Sequence, residues 1–221
     1  MKIAFLHTAQ IHVETFETLI KSLASDVECI HHVAPELLVR AQAFGLPDVA
    51  YEATEIITEL SKADAVLCTC STLGPLADDL AVTHPNVIRV DRPLMEAACS
   101  TGRNILVAIC LESTRSATLA LLQECAEQNR KTVTPRLVVC DAAWPYFETG
   151  DTAGFATEIS RSIRAEIAEF GAPDCIVLAQ ASMRVAAPKF EDLGLSVLSS
   201  PLLAAKAILA AATSSSERSS T

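Results

Sequence analysis

Aromatic residues and basic residues are both scarce in this chain of 221 residues. Only 5% of the residues are aromatic, so aliphatic side chains must fill the core. Lys and Arg number 17 against 27 Asp and Glu, which gives a formal net charge of −10. Because a nucleic-acid-binding protein normally presents a basic face, this balance argues against nucleic acid as a partner.

Several motifs that mark common enzyme classes are also missing. The chain contains no Gly-x-Gly-x-x-Gly, no Gly-x-x-x-x-Gly-Lys-Ser/Thr and no Gly-x-Ser-x-Gly. Their absence lowers the expectation of a dinucleotide or nucleoside triphosphate cofactor and of a serine hydrolase. No apolar run is long enough to span a membrane, and residues 1–7 read as a strand rather than a signal peptide. We therefore expect a cytoplasmic protein that does not bind membranes.

The eight cysteines are irregularly spaced and include no Cys-x-x-Cys pair. Because most of them lie in apolar surroundings, we interpret them as reduced thiols in a cytosolic protein. Cys68 and Cys70 with His31 and His32 would be a conceivable set of zinc ligands, but their spacing is not that of zinc sites. The sequence therefore predicts no metal site.

What the sequence does contain is a repeated alternation of strand-like and helix-like segments. Short apolar runs predict strands at 2–7, 27–32, 65–68, 87–90, 104–109, 132–140, 175–179 and 196–199. Periodicity predicts helices at 14–24, 36–44, 51–62, 76–82, 117–129, 155–170 and 201–212. This alternation is typical of an α/β fold in which helices cover parallel sheets on both sides. Because the pattern restarts, we predict two similar halves, 1–97 with 198–212 and 98–197, and a disordered tail at 213–221.

The most distinctive segment is 64–72, in which an acidic residue and a short apolar run end in small polar residues. It is echoed at 174–182, and six residues after the Asp of each copy stand Cys70 and Gln180. A buried parallel strand that leads into a functional loop has this composition. Because ligands of open α/β sheets bind at the carboxyl ends of strands, both segments are candidates for a site.

Cys70 is the leading candidate for a catalytic residue. A predicted helix begins soon after it, and a thiolate near a helix N-terminus is stabilised. Ser71 and Thr72 could offer hydroxyl and N–H groups to a carboxylate. We interpret Cys68 as a structural thiol on the opposite face of the strand.

Further candidates follow the other predicted strands and could orient or hydrogen-bond a carboxylate. Those that we expect to line a substrate site are His7, Thr8, Gln10, Ser113, Thr114, Ala181 and Ser182. Two features remain open at this stage. Arg92 beside Asp91 could hold a substrate carboxylate or belong to a structural ion pair. The aromatic cluster at 144–147 could cover the site or fill a corner of the core.

The strand-end motifs resemble those of the aspartate/glutamate/hydantoin racemase superfamily. Cys70-Ser71-Thr72 is similar to its Cys-Asn-Thr or Cys-Thr motif, and the chain looks most like the members with Cys-Thr-Cys-Ser-Thr and Leu-Ala-Gln-Ala-Ser-Met motifs. The resemblance extends to about Ala212. It implies two parallel-sheet α/β halves related by pseudo-twofold symmetry, a substrate site in the cleft between them, no cofactor, and a homodimer or higher homo-oligomer.

In racemases of this superfamily, two cysteines face each other across the substrate α-carbon, and one removes a proton while the other returns one. Cys70 matches the first of these cysteines, whereas Gln180 occupies the position of the second. An amide cannot exchange a proton near neutral pH. The resemblance therefore supports the fold and the substrate class more strongly than it supports the reaction.

The sequence thus favours a cofactor-independent racemase or isomerase that acts on a small carboxylate, with the Cys70 thiolate as base or nucleophile. Gln180 and the neighbouring hydroxyl groups would hold the carboxylate or a developing enolate, and water or His7 would supply the second proton. Two alternatives remain. One is a one-cysteine lyase of the decarboxylase type, in which Cys70 protonates an enolate, and the other is a non-catalytic protein that binds a small carboxylate.

Overall fold

The computed structural model describes residues 1–218 of the chain, with side chains as far as residue 214. The first elements in chain order are β1 (Lys2–His7), α1 (Ile11–Leu23), β2 (Glu28–Val33), α2 (Pro35–Phe44), α3 (Ala50–Leu60), β3 (Ala65–Cys68), α4 (Gly74–Ala81) and β4 (Val87–Arg89). They are followed by α5 (Arg92–Thr101), β5 (Asn104–Ile109), α6 (Arg115–Gln128), β6 (Thr134–Val139), α7 (Trp144–Glu148), α8 (Thr152–Phe170), β7 (Cys175–Leu178), β8 (Ser196–Ser199) and α9 (Ser200–Arg218). Among these helices, none combines the length and hydropathy that a membrane crossing requires.

The chain divides into two compact units, each built on its own sheet. Unit 1 is Met1–Asp91 together with α9 from Pro201, and unit 2 is Arg92–Ser200. The sheet of unit 1 has the strand order β2-β1-β3-β4, and that of unit 2 has the order β6-β5-β7-β8. Every strand pair in both sheets is parallel. The predicted α/β fold with two similar parallel-sheet halves is confirmed.

Alternation along β1 and β3 explains why both faces of the unit 1 sheet are buried. Their even-numbered apolar residues join a core with α2, α3 and α4 that includes Leu37 and Ile57. Their odd-numbered apolar residues join a second core with α1 and α9 that includes Phe16, Ile20 and Ile208. A strand buried on both faces reads as a continuous apolar run, which is why the sequence predicted these strands nearly residue by residue.

Unit 2 packs the even-numbered residues of β5 and β7 against α8 and against a 3₁₀ segment at Ala181–Leu193. The aromatic cluster belongs to this core. The rings of Trp144 and Phe147 lie 4.8 Å apart, and Phe147 lies 5.4 Å from the ring of Phe155 on α8. Of the two roles left open for the cluster, the structure thus supports core filling.

Helix α5 is one of the features of the secondary structure that differ from the sequence-based expectation. Helix α5 was not predicted, although its buried residues Leu94, Met95, Ala98 and Cys99 recur with helical spacing. The Arg92-Pro93 pair that opens it was interpreted as the end of a strand, whereas proline is favoured in the first turn of a helix. The signal was therefore present in the sequence and was missed.

The expected disordered tail at 213–221 also differs, since α9 continues to Arg218. Adding residues to an existing helix is easier than starting one, so a polar segment can prolong the helix that precedes it. The hydroxyl groups of Thr213 and Ser214 donate to the carbonyl oxygens of Leu209 and Ala210, one turn back. Residues 219–221 lie outside the described residues.

Candidate active site

A tight turn connects β3 to α4 and carries Cys70. The N–H of Leu73 donates to the carbonyl of Cys70 at 3.1 Å, and the N–H of Gly74 donates to that of Ser71 at 3.2 Å. The backbone N–H groups of Thr72 and Leu73 and the hydroxyl groups of Thr8 and Thr72 lie close enough to the Cys70 sulfur to lower its pKa. Cys70 Sγ is thus surrounded by donors, which we call the thiol cradle.

Two opposed effects act on the Cys70 thiol. Burial raises its pKa above the ordinary value, because a thiolate loses hydration in the interior. The thiol cradle opposes that shift, since hydrogen bonds to sulfur favour the charged form, but burial dominates. Cys70 therefore holds its proton near neutral pH in the free protein and has donors in place for the thiolate.

Cys68 is a structural thiol, as expected, but it lies on the same face of the strand as Cys70. Both belong to the core that contains α2, α3 and α4. The expectation of opposite faces was wrong, because residues two apart on a strand share a face. Cys68 Sγ donates to the carbonyl of Cys70 at 3.8 Å, and burial raises the Cys68 pKa to about 12.

A buried ion-pair network holds the start of α4 in place, and the sequence analysis missed it. Arg89, the last residue of β4, donates to both carboxylate oxygens of Asp91 at 2.6 and 2.9 Å and to Asp78 on α4 at 2.6 Å. Asp91 is fully buried. A side-chain Cβ on Gly74 would lie 2.6 Å from the Arg89 guanidinium, so only glycine admits this approach. Asp91 pairs with Arg89 because residues two apart on an extended chain point the same way.

Arg92, which had been considered for substrate binding, forms an ion pair within unit 2. Its guanidinium lies 3.1 Å from Glu124 on α6. Of the two roles left open for Arg92, a structural ion pair fits this contact with Glu124.

His7 lies at the end of β1 and is fully buried. Its Nδ1 lies 2.8 Å from the Thr69 hydroxyl, and its Nε2 lies 2.8 Å from Nδ1 of His31 on the neighbouring strand. His31 in turn contacts Glu17 on α1 at 2.9 Å. Burial, with smaller contributions from His31 and His12, lowers the His7 pKa to about 3.

These contacts change the role expected for His7. Both ring nitrogens are engaged within unit 1, and the ring is neutral near pH 7, so His7 is not the second proton donor that we had considered. We assign it to positioning Thr69, the residue before Cys70. His12, on the first turn of α1, is likewise buried, and burial lowers its pKa to about 4.

Unit 1 thus brings together only some of the residues predicted for it. Thr8 and Thr72 contact Cys70 Sγ, and the side chain of Ser71 is buried in the same turn. Gln10 is exposed at the start of α1 and forms no side-chain cap there. Its predicted part in substrate binding has no structural support within unit 1.

The corresponding strand ends of unit 2 carry Cys110 and Gln180. In unit 1, Leu6 pairs with Cys68, and two residues further along stand Thr8 and Cys70. In unit 2, Ala108 pairs with Leu178, and two residues further along stand Cys110 and Gln180. The predicted equivalence of Cys70 and Gln180 therefore holds in the register of the sheets.

Gln180 is held by a backbone hydrogen bond. Its Oε1 accepts from the N–H of Cys110, and both residues are buried. The Cys110 thiol points into the core, and burial raises its pKa strongly, so this cysteine is structural. With its oxygen engaged in this way, the group that Gln180 can offer to a ligand is the NH₂ of its amide.

The other residues predicted in unit 2 are less well placed. Ser113 is exposed, and the hydroxyl of Thr114 donates to the carbonyl of Leu111 at 2.7 Å. Ala181 is buried and Ser182 is half-buried at the start of the 3₁₀ segment. Among the residues predicted in unit 2, Ser182 therefore has a hydroxyl group that is close to Gln180 in the chain, and the residue is partly accessible to solvent.

Comparison with known proteins identifies the fold. Neither the protein-family models nor the curated proteins give a match. Among solved structures, the Picrophilus torridus aspartate racemase matches with a TM-score of 0.69 at 14% identity, over 96% of this chain and 94% of that one. A Francisella tularensis glutamate racemase in complex with D-glutamate matches with a TM-score of 0.70 at 14% identity, over 95% and 80%. Unliganded arylmalonate decarboxylase matches with a TM-score of 0.58 at 13% identity, over 96% and 92%. The chain therefore has the fold of the aspartate and glutamate racemases, as its strand-end motifs predicted.

Proposed function

We propose that this protein is a cofactor-independent racemase or isomerase of the aspartate/glutamate racemase superfamily, in which Cys70 moves a proton at the carbon next to a carboxylate. The observation that carries the proposal is the thiol cradle. Two N–H groups and two hydroxyl groups surround one sulfur at the end of a central strand. A purely structural thiol, such as Cys68, has no such set of donors.

The chemistry of the thiol fits proton transfer. A pKa raised by burial makes the thiolate, once formed, a stronger base than an exposed one, and makes the resting thiol a ready proton donor. The cradle supplies hydrogen bonds to the thiolate that replace those lost from water. The same atom could therefore remove a proton from carbon and return it.

A small carboxylate is the substrate class that we propose. The groups that we propose for binding its anion are the hydroxyl groups of Ser71 and Thr72, which lie in the turn beside Cys70. The structural neighbours are named for small carboxylate substrates, namely aspartate, glutamate and an arylmalonate. We propose Gln180 as a hydrogen-bond donor to the substrate and not as an acid or base, because its amide does not ionise.

A decarboxylase-type lyase is the second candidate, and a specific observation favours it. Gln180 occupies in the unit 2 sheet the strand-end position that Cys70 occupies in the unit 1 sheet, and an amide cannot act as a second acid or base. A protonated Cys70 can by itself deliver one proton to an enolate. The similarity to arylmalonate decarboxylase is compatible with such a reaction. The two candidates differ in whether carbon dioxide is released.

Incubation with a panel of small acids in heavy water tests these proposals. NMR would follow deuterium incorporation at the α-carbon, and trapping would follow carbon dioxide. We expect incorporation that falls by about 10²- to 10⁴-fold in Cys70→Ala, the range associated with loss of a positioned acid–base group. Cys125→Ala, which removes a buried thiol on α6, is the matched control and should retain activity.

The outcomes separate the candidates. Carbon dioxide release that depends on Cys70 identifies a lyase. Saturable binding of an acid with neither exchange nor carbon dioxide identifies a binding protein. Turnover that survives Cys70→Ala would overturn both catalytic proposals.

A further inference from the structure

A cluster of metal-ligand side chains lies on unit 1, apart from the thiol cradle. It comprises Glu17 on α1 and Cys29 and His31 on β2, and one ligand atom from each lies within 4.8 Å of the others. His31 Nε2 is 2.9 Å from the Glu17 carboxylate, which also accepts a hydrogen bond from the Cys29 thiol. All three side chains are half-buried, so solvent reaches the cluster.

A chain of hydrogen bonds behind His31 fixes the orientation of its ring. The Thr69 hydroxyl donates its hydrogen to the carbonyl of Leu6 at 3.0 Å, so Thr69 accepts from Nδ1–H of His7. Nε2 of His7 then accepts from Nδ1 of His31. The other nitrogen of His31, Nε2, is directed at the Glu17 carboxylate.

Unit 2 shows that the fold itself does not require these polar residues. Ile3 of β1 pairs with Cys29, and Phe5 pairs with His31. At the corresponding places in the sheet of unit 2, β5 pairs with Pro135 and Leu137 of β6. The edge strand of unit 2 thus has no thiol and no imidazole where unit 1 has both.

We propose that Glu17, Cys29 and His31 bind a divalent transition-metal ion of the zinc or cobalt type. A carboxylate, a thiolate and an imidazole suit such ions, and three protein ligands leave a coordination position for water. Metal bonds of about 2.0 to 2.3 Å require ligand atoms roughly 3.5 Å apart, which small side-chain rotations from the present separations provide. This proposal departs from the sequence-based expectation of no metal.

The surrounding residues orient the proposed ligands. His7 accepts from Nδ1–H of His31, which leaves Nε2 of His31 without a proton and directed at the ion. The Thr69 hydroxyl oxygen fixes the His7 ring by accepting a hydrogen bond from Nδ1–H of His7. Binding of the ion releases the Cys29 proton, because a thiol coordinates as the thiolate.

Titration of the purified full chain with Co²⁺ tests the site. Tetrahedral Co²⁺ bound to a thiolate gives a sulfur-to-cobalt charge-transfer band in the near ultraviolet and strong visible bands. We expect one equivalent of ion, loss of the charge-transfer band in Cys29→Ser, and at least tenfold weaker binding in Glu17→Gln and His31→Gln. Zn²⁺ should displace the cobalt and raise the thermal unfolding midpoint of the wild type but not of Cys29→Ser.

Two controls make the result specific. His32→Gln removes an exposed imidazole from the same strand and should bind Co²⁺ as the wild type does. Cys70→Ala should also bind it unchanged, so failure of the metal site and failure of the proposed catalytic thiol are distinguishable. A wild type without the charge-transfer band, or a band that persists in Cys29→Ser while that variant unfolds cooperatively, would overturn the proposal.

Discussion

The two units place different chemistry on the same scaffold. At the ends of the central strands of unit 1, His7 is hydrogen-bonded to Thr69. In unit 2, the residues at the corresponding positions are Ile109 and Ala179, which directly follow the last paired residues of β5 and β7. The fold is satisfied by apolar side chains at these positions. Unit 1 thus has a hydrogen-bonded polar pair beside Cys70 where unit 2 has two apolar residues.

A second contrast concerns how each unit secures its fourth strand. Cys68 pairs with Arg89 in unit 1, and Leu178 pairs with Ser199 in unit 2. Unit 1 thus places a buried ion pair where unit 2 has a small hydroxyl residue. Variants of the buried polar residues in both units test these contrasts.

Replacing Arg89 by Met should lower the free energy of unfolding by about 3 to 5 kcal/mol, because it leaves the buried carboxylate of Asp91 without its partner. Urea denaturation measures the change. The double variant Arg89→Met/Asp91→Leu should recover most of the loss, since an apolar pair can replace a buried ion pair. Arg161→Met, which removes an exposed ion pair from α8, should cost less than about 1 kcal/mol. A similar cost for both single variants would contradict a special role for the buried network.

The buried His12 should make stability depend on pH. Burial lowers its pKa from 6.5 to about 4 in the folded protein, so below pH 6.5 the unfolded chain binds a proton that the folded protein does not. Stability should fall as the pH drops from 6.5 towards 4, by up to about 3 kcal/mol from this residue.

Urea denaturation at several pH values would measure that dependence. His12→Gln should make the curve less steep over this range and leave the part that the buried His7 contributes, whereas His32→Gln, at an exposed histidine, should leave the curve unchanged. An identical pH dependence in the wild type and His12→Gln would show that His12 does not carry the effect.

Gln180→Met should lower the free energy of unfolding by about 1 to 3 kcal/mol, because the buried N–H of Cys110 loses its acceptor. This change tests whether the amide in unit 2 has a structural role. Gln123→Met on the exposed face of α6 is the matched control and should have almost no effect. If Gln180→Met is as stable as the wild type but impairs turnover, the amide serves the substrate alone.

Thr8→Val should alter the Cys70 thiol with little effect on stability. It removes one hydroxyl from the thiol cradle, so the pKa of Cys70 should rise further and the rate of alkylation by iodoacetamide at mildly alkaline pH should fall. Thr15→Val, at a hydroxyl that bonds only within α1, is the control. An unchanged alkylation profile in Thr8→Val would remove Thr8 from the cradle.

The sequence predicted the strands of both units well because a strand buried on both faces leaves a continuous apolar run. It also identified the repeated motif, and the structure explains why each copy begins with Asp. The Asp64 carboxylate accepts a hydrogen bond from the backbone N–H of Lys2 at 2.7 Å. The Asp174 carboxylate accepts hydrogen bonds from the backbone N–H groups of Arg103 and Asn104. Part of the repeat therefore reflects how each sheet fastens the start of its first strand, and not chemistry.

The contacts around the site were less accessible to sequence reasoning. That Arg89 pairs with Asp91 follows from the alternation of an extended chain, a signal that was available. The contact of His7 with His31 depends on the register of β1 against β2. That register depends on how both strands pack with the intervening α1, which the residues of neither strand specify by themselves.

The return of the chain to unit 1 through α9 has a consequence for biosynthesis. Residues of α9 cover the sheet face that bears Ile3, Phe5 and Leu67, yet they are separated from β1 by the whole of unit 2. Unit 2 is one continuous segment that is synthesised before α9, so it can fold before unit 1 is complete. Unit 1 therefore keeps the part of this face that α9 covers exposed until α9 has been synthesised. Chaperone binding to nascent chains should therefore be strongest while unit 2 is being made.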